Sequence, residues 1–491
     1  MPSLFSRFSV EPDALPWLEQ RSWHPWLVIG LVCIGAFVGQ LDATIVQLAL
    51  PTLSHAFEVP IQKVSWVALS YLLAFASFLP IFGRLCEMVG RKSLYLVGYA
   101  LFIVATALCG LAATFEQLLV FRFLQGMGGA LLGANSISIL VATIPAASRG
   151  RALGFFAAAQ AVGMSAGPAL GGLILVGLGW RWVFWVTVPF GALAMVVGWL
   201  ALPRSRIAGP RKSFDWTGAL LIGPALILLV ATLNHASHWG LLSAPTLGGF
   251  AISAVLLGLL VRHERRCTSP LIDPRLLQSA GFRFGAMAVT LAYGLLYGTF
   301  FLMSFALEHG YGQGPAQAGF RLAIIPVAIG LSAPFSQDIR QWLGRTRIGG
   351  AAMLLCLLAI MMMRMSVGLS PYHKAIDTVA FTLIGIGLGL FIAPNNNATL
   401  AAVPAELSGA AGALLNLMRV LGTSLGVALG ASSLTWRLEE VAGTDRGWNA
   451  AGSANLLTAV RDSVPLLGLI AVAAAIAAWA AARSTPPEPK S

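Results

Sequence analysis

Fourteen apolar runs, each about as long as a helix needs to cross a bilayer, dictate what this chain can become. They lie near residues 26–48, 64–84, 93–113, 117–141, 152–177, 182–202, 216–233, 246–262, 283–306, 315–337, 348–367, 375–394, 409–432 and 464–482. In lipid every backbone N–H and C=O must bond within the protein, so only helices or a closed barrel can span. A barrel strand would alternate polar and apolar residues over about ten positions, and these runs show little alternation. The expected fold is all-α integral membrane with 14 spans. Only 10% of residues are charged and 57% are hydrophobic, whereas a soluble protein has about a quarter charged.

The formal net charge of +12 does not point to nucleic acid, because the basic residues form short clusters between spans rather than one patch. Arg84, Arg91 and Lys92, then Arg149 and Arg151, then Arg204, Arg206, Arg211 and Lys212, then Arg262, Arg265, Arg266 and Arg275, then Arg340, Arg345 and Arg347 fall in alternate loops. The positive-inside rule puts those loops and both termini in the cytoplasm. Residues 1–24 lack the apolar core of a cleavable leader, and Trp17, Trp23 and Trp26 suit an interface before the first span. The basic stretches 203–213 and 262–275 divide the chain into 1–203 with six spans, 204–281 with basic linkers and two extra spans, and 282–491 with six more. The five cysteines have no CxxC spacing, so no metal site or disulfide framework is expected. His235 and His238 are placed in a loop.

Charges inside spans are costly and mark function. Asp42, in LDATIVQLALP, sits about sixteen residues or about 24 Å into span one. Buried carboxyls can exchange protons nearer neutral pH than exposed ones, so Asp42 is either a proton or cation site or a structural acid paired with Arg122. Arg122, in VFRFLQGMGG, lies at a matching depth in span four. It keeps its charge, so it either pairs within the bundle or snorkels outward. GRLCEMVGRK turns tightly between spans two and three, and its charges make either an ion-pair latch or ordinary topology. In GMSAGPALGG the glycines Gly163, Gly167 and Gly171 share one face beside Pro168, a pattern for close helix packing with a bend. Asn395, Asn396 and Asn397 are read as ending span twelve, Ser408 as the N-cap of span thirteen, and Arg419 as a cation nearer the cytoplasmic side that, like Arg122, either pairs within the bundle or snorkels. A Walker-type phosphate loop is not found, nor is a cluster of acids, bases or metal ligands that enzyme chemistry would need.

Over nearly the whole length, these motifs resemble those of the fourteen-span drug:proton antiporters of the major facilitator superfamily. WRWVFWVTVPFG, at 180–191, is also similar to that branch. The resemblance implies the major facilitator fold, two six-helix bundles plus two extra transmembrane helices, in the cell inner membrane. It makes Asp42 and Arg122 proton-coupling residues, and Gly163, Gly167, Pro168, Gly171 and Gly172 an antiporter hinge and seal. Gly83, Glu87, Gly90, Arg91 and Lys92 become a conformational latch, with Glu87 facing Arg91 and the N-terminal dipole of the helix near Ser408. Glu87 departs from the usual aspartate, and Gln47 from the usual asparagine.

The expected function is proton-coupled efflux of lipophilic or amphiphilic drugs, cationic ones included, by alternating access, as in multidrug antibiotic resistance. The alternatives are export of an endogenous lipid or metabolite and, from a different class, a membrane sensor or embedded enzyme. The expected energy source is the proton gradient, without a cofactor or metal. Partners are protons, membrane lipid and a small amphiphile, and some members of the branch add a periplasmic adaptor protein. Trp66, Tyr71, Gln160, Tyr293, Tyr297 and Asn416 are candidate substrate-binding residues, chosen for polarity or aromaticity on expected lining helices. Replacing Asp42 by Asn is expected to abolish export and leave folding nearly intact.

Overall fold

In the computed structural model, which describes residues 11, 14–145, 148–205, 214–240, 242–267, 269–368, 372–443 and 452–484, fourteen helices are long and apolar enough to cross a membrane. They are α1 His24–Ala56, α2 Trp66–Val89, α3 Arg91–Leu111, α4 Phe115–Thr143, α5 Arg149–Gly177, α6 Arg181–Ala201, α7 Trp216–Trp239, α8 Ala244–Glu264, α9 Ala280–Gly310, α10 Pro315–Leu343, α11 Arg345–Ser366, α12 His373–Ala401, α13 Ser408–Ala442 and α14 Ser453–Ser484. No strand occurs among the described residues. Arg206, Arg211 and Lys212 of the basic linker lie outside the described residues.

Lipid offers no hydrophobic reward for bringing helices together, so close packing of small residues must do it. Gly126 and Gly128 of α4 do this twice. A side chain on Gly126 would strike the Tyr71 carbonyl of α2, and one on Gly128 would lie 2.6 Å from the Phe102 nitrogen of α3. Gly422 and Gly426 of α13 likewise lie on the α9 backbone at Thr290 and Gly294. Leu220, Leu331 and Met365 are among the apolar side chains left exposed on the outside of the helices, where a membrane would cover them.

Helices α1–α6 pack mainly among themselves, as do α9–α14, and α5 against α10 and α2 against α13 join the two groups. The extra hairpin α7–α8 lies across that join, with α7 packed on both α2 and α13. Asn234 of α7 donates to Ser65 Oγ at 3.0 Å and accepts from Gln62 Nε2 at 2.8 Å, pinning the hairpin to the chain just ahead of α2.

Among the boundaries that differ from the sequence reading, three concern polar residues in the membrane helices. Helix α12 runs through Pro394 and the three asparagines to Ala401. Asn395 Nδ2 donates to the Gly285 carbonyl of α9 at 2.9 Å, so its polarity is used within the bundle. His235 belongs to α7, its ring bonded to the Ala231 carbonyl at 2.9 Å. Leu407 holds the cap position of α13 and Ser408 is the first helical residue.

Candidate functional site

Asp42 and Arg122 meet. Asp42 projects from the middle of α1, while Arg122 and Gln125, three residues apart, share a face of α4. Arg122 Nη1 donates to Asp42 Oδ2 at 2.8 Å and to Gln125 Oε1 at 2.5 Å, and its Nε donates to the Val67 carbonyl of α2 at 2.9 Å. Gln125 Nε2 donates to Asp42 Oδ1 and to Thr106 Oγ1 of α3, each at 2.8 Å. Both carboxylate oxygens are therefore satisfied, and four helices are tied together. Asp42 is 0% exposed and Arg122 1%. A desolvated pair of this kind is strongly destabilised when one partner is removed, by about 3–5 kcal/mol. Sequence reading pointed to Asp42 and Arg122 by charge and depth. It did not assign Gln125 or Thr106, although Gln125's spacing from Arg122 was the available signal.

Tyr71 separates this network from a cavity of ≈ 290 Å³ enclosed by helices of both groups. The Arg122 guanidinium carbon lies 4.4 Å from the Tyr71 ring centroid, close enough for cation–π attraction, and Tyr71 lines the cavity. Asp42 is not in the lining, but its neighbours Gln40 and Ala43 are. Of the candidate substrate residues, Tyr71, Gln160, Tyr293, Tyr297 and Asn416 line the cavity. Trp66 does not. It stands at the first turn of α2 beside His235 of α7, ring centroids 6.1 Å apart. Sequence reading did not place Asn396 or Arg419 in the lining, and both are there. Arg419 Nη2 donates to Asn416 Oδ1 at 2.7 Å, and its guanidinium is 5.8 Å from the Tyr293 ring centroid.

Helix α5 packs along the middle of α1 and against the first turns of α10. A side chain on Gly163 would strike the Phe37 carbonyl, on Gly167 the Thr44 hydroxyl, and on Gly172 the Pro315 carbonyl of α10. Gly319 of α10 in turn lies on the Pro168 carbonyl. The glycine spacing therefore serves two neighbours, α1 on one side and α10 on the other.

Residues 32–427 match the family model described as Major Facilitator Superfamily. The chain belongs to the major facilitator superfamily. It is 29% identical to the riboflavin transporter RibZ of Clostridioides difficile, over 82% of this chain and 87% of that one. It is 31% identical to the tetracenomycin C resistance and export protein of Streptomyces glaucescens, over 83% and 75%. It is 30% identical to the multidrug resistance protein Stp of Mycobacterium tuberculosis, over 82% and 75%. Among solved structures, a bacterial homologue of the lysosomal transporter Spinster, in an inward-facing and unoccupied conformation, superposes with a TM-score of 0.68 at 16% identity, covering 95% of this chain and 98% of that one. This major facilitator chain is thus a multi-pass membrane transporter with fourteen apolar helices.

The residues expected to form a latch lie at the α2–α3 turn of this superfamily member. Glu87 bonds to Arg84, one turn back on its own helix, at 2.6 Å. Among the described residues Glu87 makes no ion pair with Arg91, the partner the resemblance implied. Gly83 has open space where a side chain would go, so no close approach depends on it. Gly90 has φ +127°, a conformation side chains disfavour. Its neighbour is Glu11, whose Oε1 accepts from Ser93 N at 2.9 Å and whose Oε2 accepts from Ser205 N at 2.6 Å. Ser205 Oγ accepts from Arg91 N at 2.8 Å and Lys92 N at 3.0 Å, so the free donors at the start of α3 are satisfied from two distant segments. The Lys92 ammonium is buried and donates to the Leu202 carbonyl at 2.6 Å.

The sequence suggested no metal ligands, yet Asp215, His263 and Cys267 offer ligand atoms within 4.8 Å of one another. Asp215 Oδ1 accepts from Gly218 N at 2.8 Å and contacts His263 Nε2 at 2.7 Å. This arrangement caps α7 and fastens it to α8.

Proposed function

We propose that the chain exports small amphiphilic molecules in exchange for protons by alternating access, with Asp42 carrying the proton and Arg122 as its counter-charge. The observation that carries this reading is the fully buried Asp42–Arg122–Gln125 network beneath Tyr71, one residue away from the cavity. Ionised Asp42 and Arg122 hold α1, α2 and α4 together. Protonation removes the carboxylate's charge and leaves Arg122 without its counter-ion, so the protonated form favours another arrangement. By linkage, that arrangement binds the proton more tightly, and this difference supplies the coupling. Two residues after Asp42, Thr44 rests on Gly167 of α5, and α5 rests on α10. A shift of α1 on protonation therefore has a packed route to the seal between the halves. On this reading residues 1–203 and 282–491 rock against each other, residues 204–281 span the join, the termini are cytoplasmic, and the proton gradient in the cell inner membrane is the energy source.

The test is purified protein in liposomes with an imposed pH gradient and a panel of amphiphiles. Substrate movement is expected to collapse when the gradient is dissipated and to be absent in Asp42→Asn. Undiminished gradient-driven movement by that variant removes Asp42 from the mechanism. Export of an endogenous metabolite is the second reading, favoured by a cavity lining that contains no carboxylate among the described residues and by the resemblance to a transporter named for riboflavin.

A further inference from the structure

We infer that Arg419 makes the cavity selective for substrates bearing an acidic oxygen, a carboxylate, phenolate or enolate, on a flat apolar body, and against cations. The inference rests on the cavity being the substrate site and narrows its ligand class. Among the described residues Arg419 is the only charged one in the lining. Of its five N–H donors, one is taken by the neutral Asn416 Oδ1, and among the described residues no carboxylate forms an ion pair with it. Arg122, the other deep arginine of the central region, is neutralised by Asp42 behind Tyr71. The positive charge of Arg419 is therefore the one the cavity has not compensated. An entering cation would meet a like charge, whereas an oxyanion could form a two-point, charge-assisted pair with the guanidinium fork. Phe75, Phe102, Phe156 and Tyr293 supply apolar faces for a ring, and Gln40 and Gln160 supply neutral polar contacts.

This class has an energetic consequence for the exchange proposed above. Moving a monoanion out and a proton in carries two charges across the membrane in the same electrical sense. Cation-for-proton exchange carries none. Export of the preferred substrates is then driven by the membrane potential as well as by the pH gradient.

The experiment is equilibrium binding to the purified full chain, without a gradient, of one naphthalene probe carrying a carboxylate, a primary amide or an ammonium. The carboxylate is expected to bind tightest and the ammonium weakest. Arg419→Gln should weaken the carboxylate by about tenfold or more while leaving the amide within about twofold, and Arg419→Lys should recover part of the loss. Retained amide binding reports that the variant cavity is intact. The order in the unaltered protein is itself decisive should the variants fail to fold. Tightest binding of the ammonium, equal weakening of all three probes by Arg419→Gln, or no binding of any probe would overturn the inference. Because no gradient is present, failure of proton coupling at Asp42 would leave this result unchanged, and the liposome assay would detect that failure separately.

Discussion

Asp42 of α1 and Arg122 of α4 face each other at 2.8 Å with neither reaching solvent, which changes what the simplest substitution should do. Asp42→Asn removes the charge but leaves a buried guanidinium without a counter-ion. We expect a loss of about 3 kcal/mol or more in stability, rather than the nearly intact folding that the sequence suggested. Arg122→Gln in the same chain should restore much of the loss, since both charges are then gone. Thermal denaturation of the two single variants and the double variant, read as a cycle, measures this. A double variant no more stable than Asp42→Asn would mean that the pair is not the cause.

The contact between α5 and α10 has no room for a side chain at Gly172, where a Cβ would lie 2.7 Å from Ala316 Cα. Overpacking of this kind typically costs about 1–3 kcal/mol, and here the strain falls on the arrangement in which the two helices touch. Gly172→Leu is expected to favour the conformation in which α5 and α10 separate. A single cysteine placed at Ala316 should then react faster with a water-soluble maleimide in Gly172→Leu than in the parent. Equal rates would show that the contact does not hold the seal.

The fourteen spans were legible because apolar runs of bilayer length have few alternatives. Their ends were less so. The three asparagines read as a stop, yet α12 continues because Asn395 bonds across to α9 and Asn396 borders the cavity. Polarity along a chain does not tell whether a residue leaves the bundle or faces its interior. The start of α14 was missed for a similar reason: Arg461 and Asp462 bond to each other at 3.4 Å within the helix. Matching depth brought Asp42 and Arg122 together on paper. The rotation of α13 that brings Arg419 to the cavity depends on packing against α9. The clasp of Glu11 over the start of α3 joins residues 82 positions apart, and no local pattern announces it.

That clasp makes its own prediction. Glu11→Ala strips acceptors from Ser93 N and Ser205 N together, and losing a comparable helix cap costs about 0.5–2 kcal/mol. The first turn of α3 should exchange its amide hydrogens faster, with little change in α9 or α13. Hydrogen exchange resolved by peptide checks this, and uniform change across the molecule would argue against a local clasp. Gly90→Ala should damage the same place, since φ +127° and the Glu11 carboxylate both oppose a side chain there.

At the far end of α9, Glu308 is 8% exposed within the π-helical turn Ala306–Gly310. One carboxylate oxygen, Oε2, accepts from Thr52 of α1 at a long 3.4 Å, while Oε1 has no hydrogen-bond partner among the described residues. Burying an ionised carboxylate so poorly served is costly, so this side chain detracts from the stability of this arrangement when ionised. Glu308→Gln keeps the shape, removes the charge and leaves an acceptor for Thr52. It should raise the thermal midpoint at neutral pH, by the equivalent of about 1–2 kcal/mol. Loss of stability in Glu308→Gln at neutral pH would show that the negative charge itself supports the contact with α1.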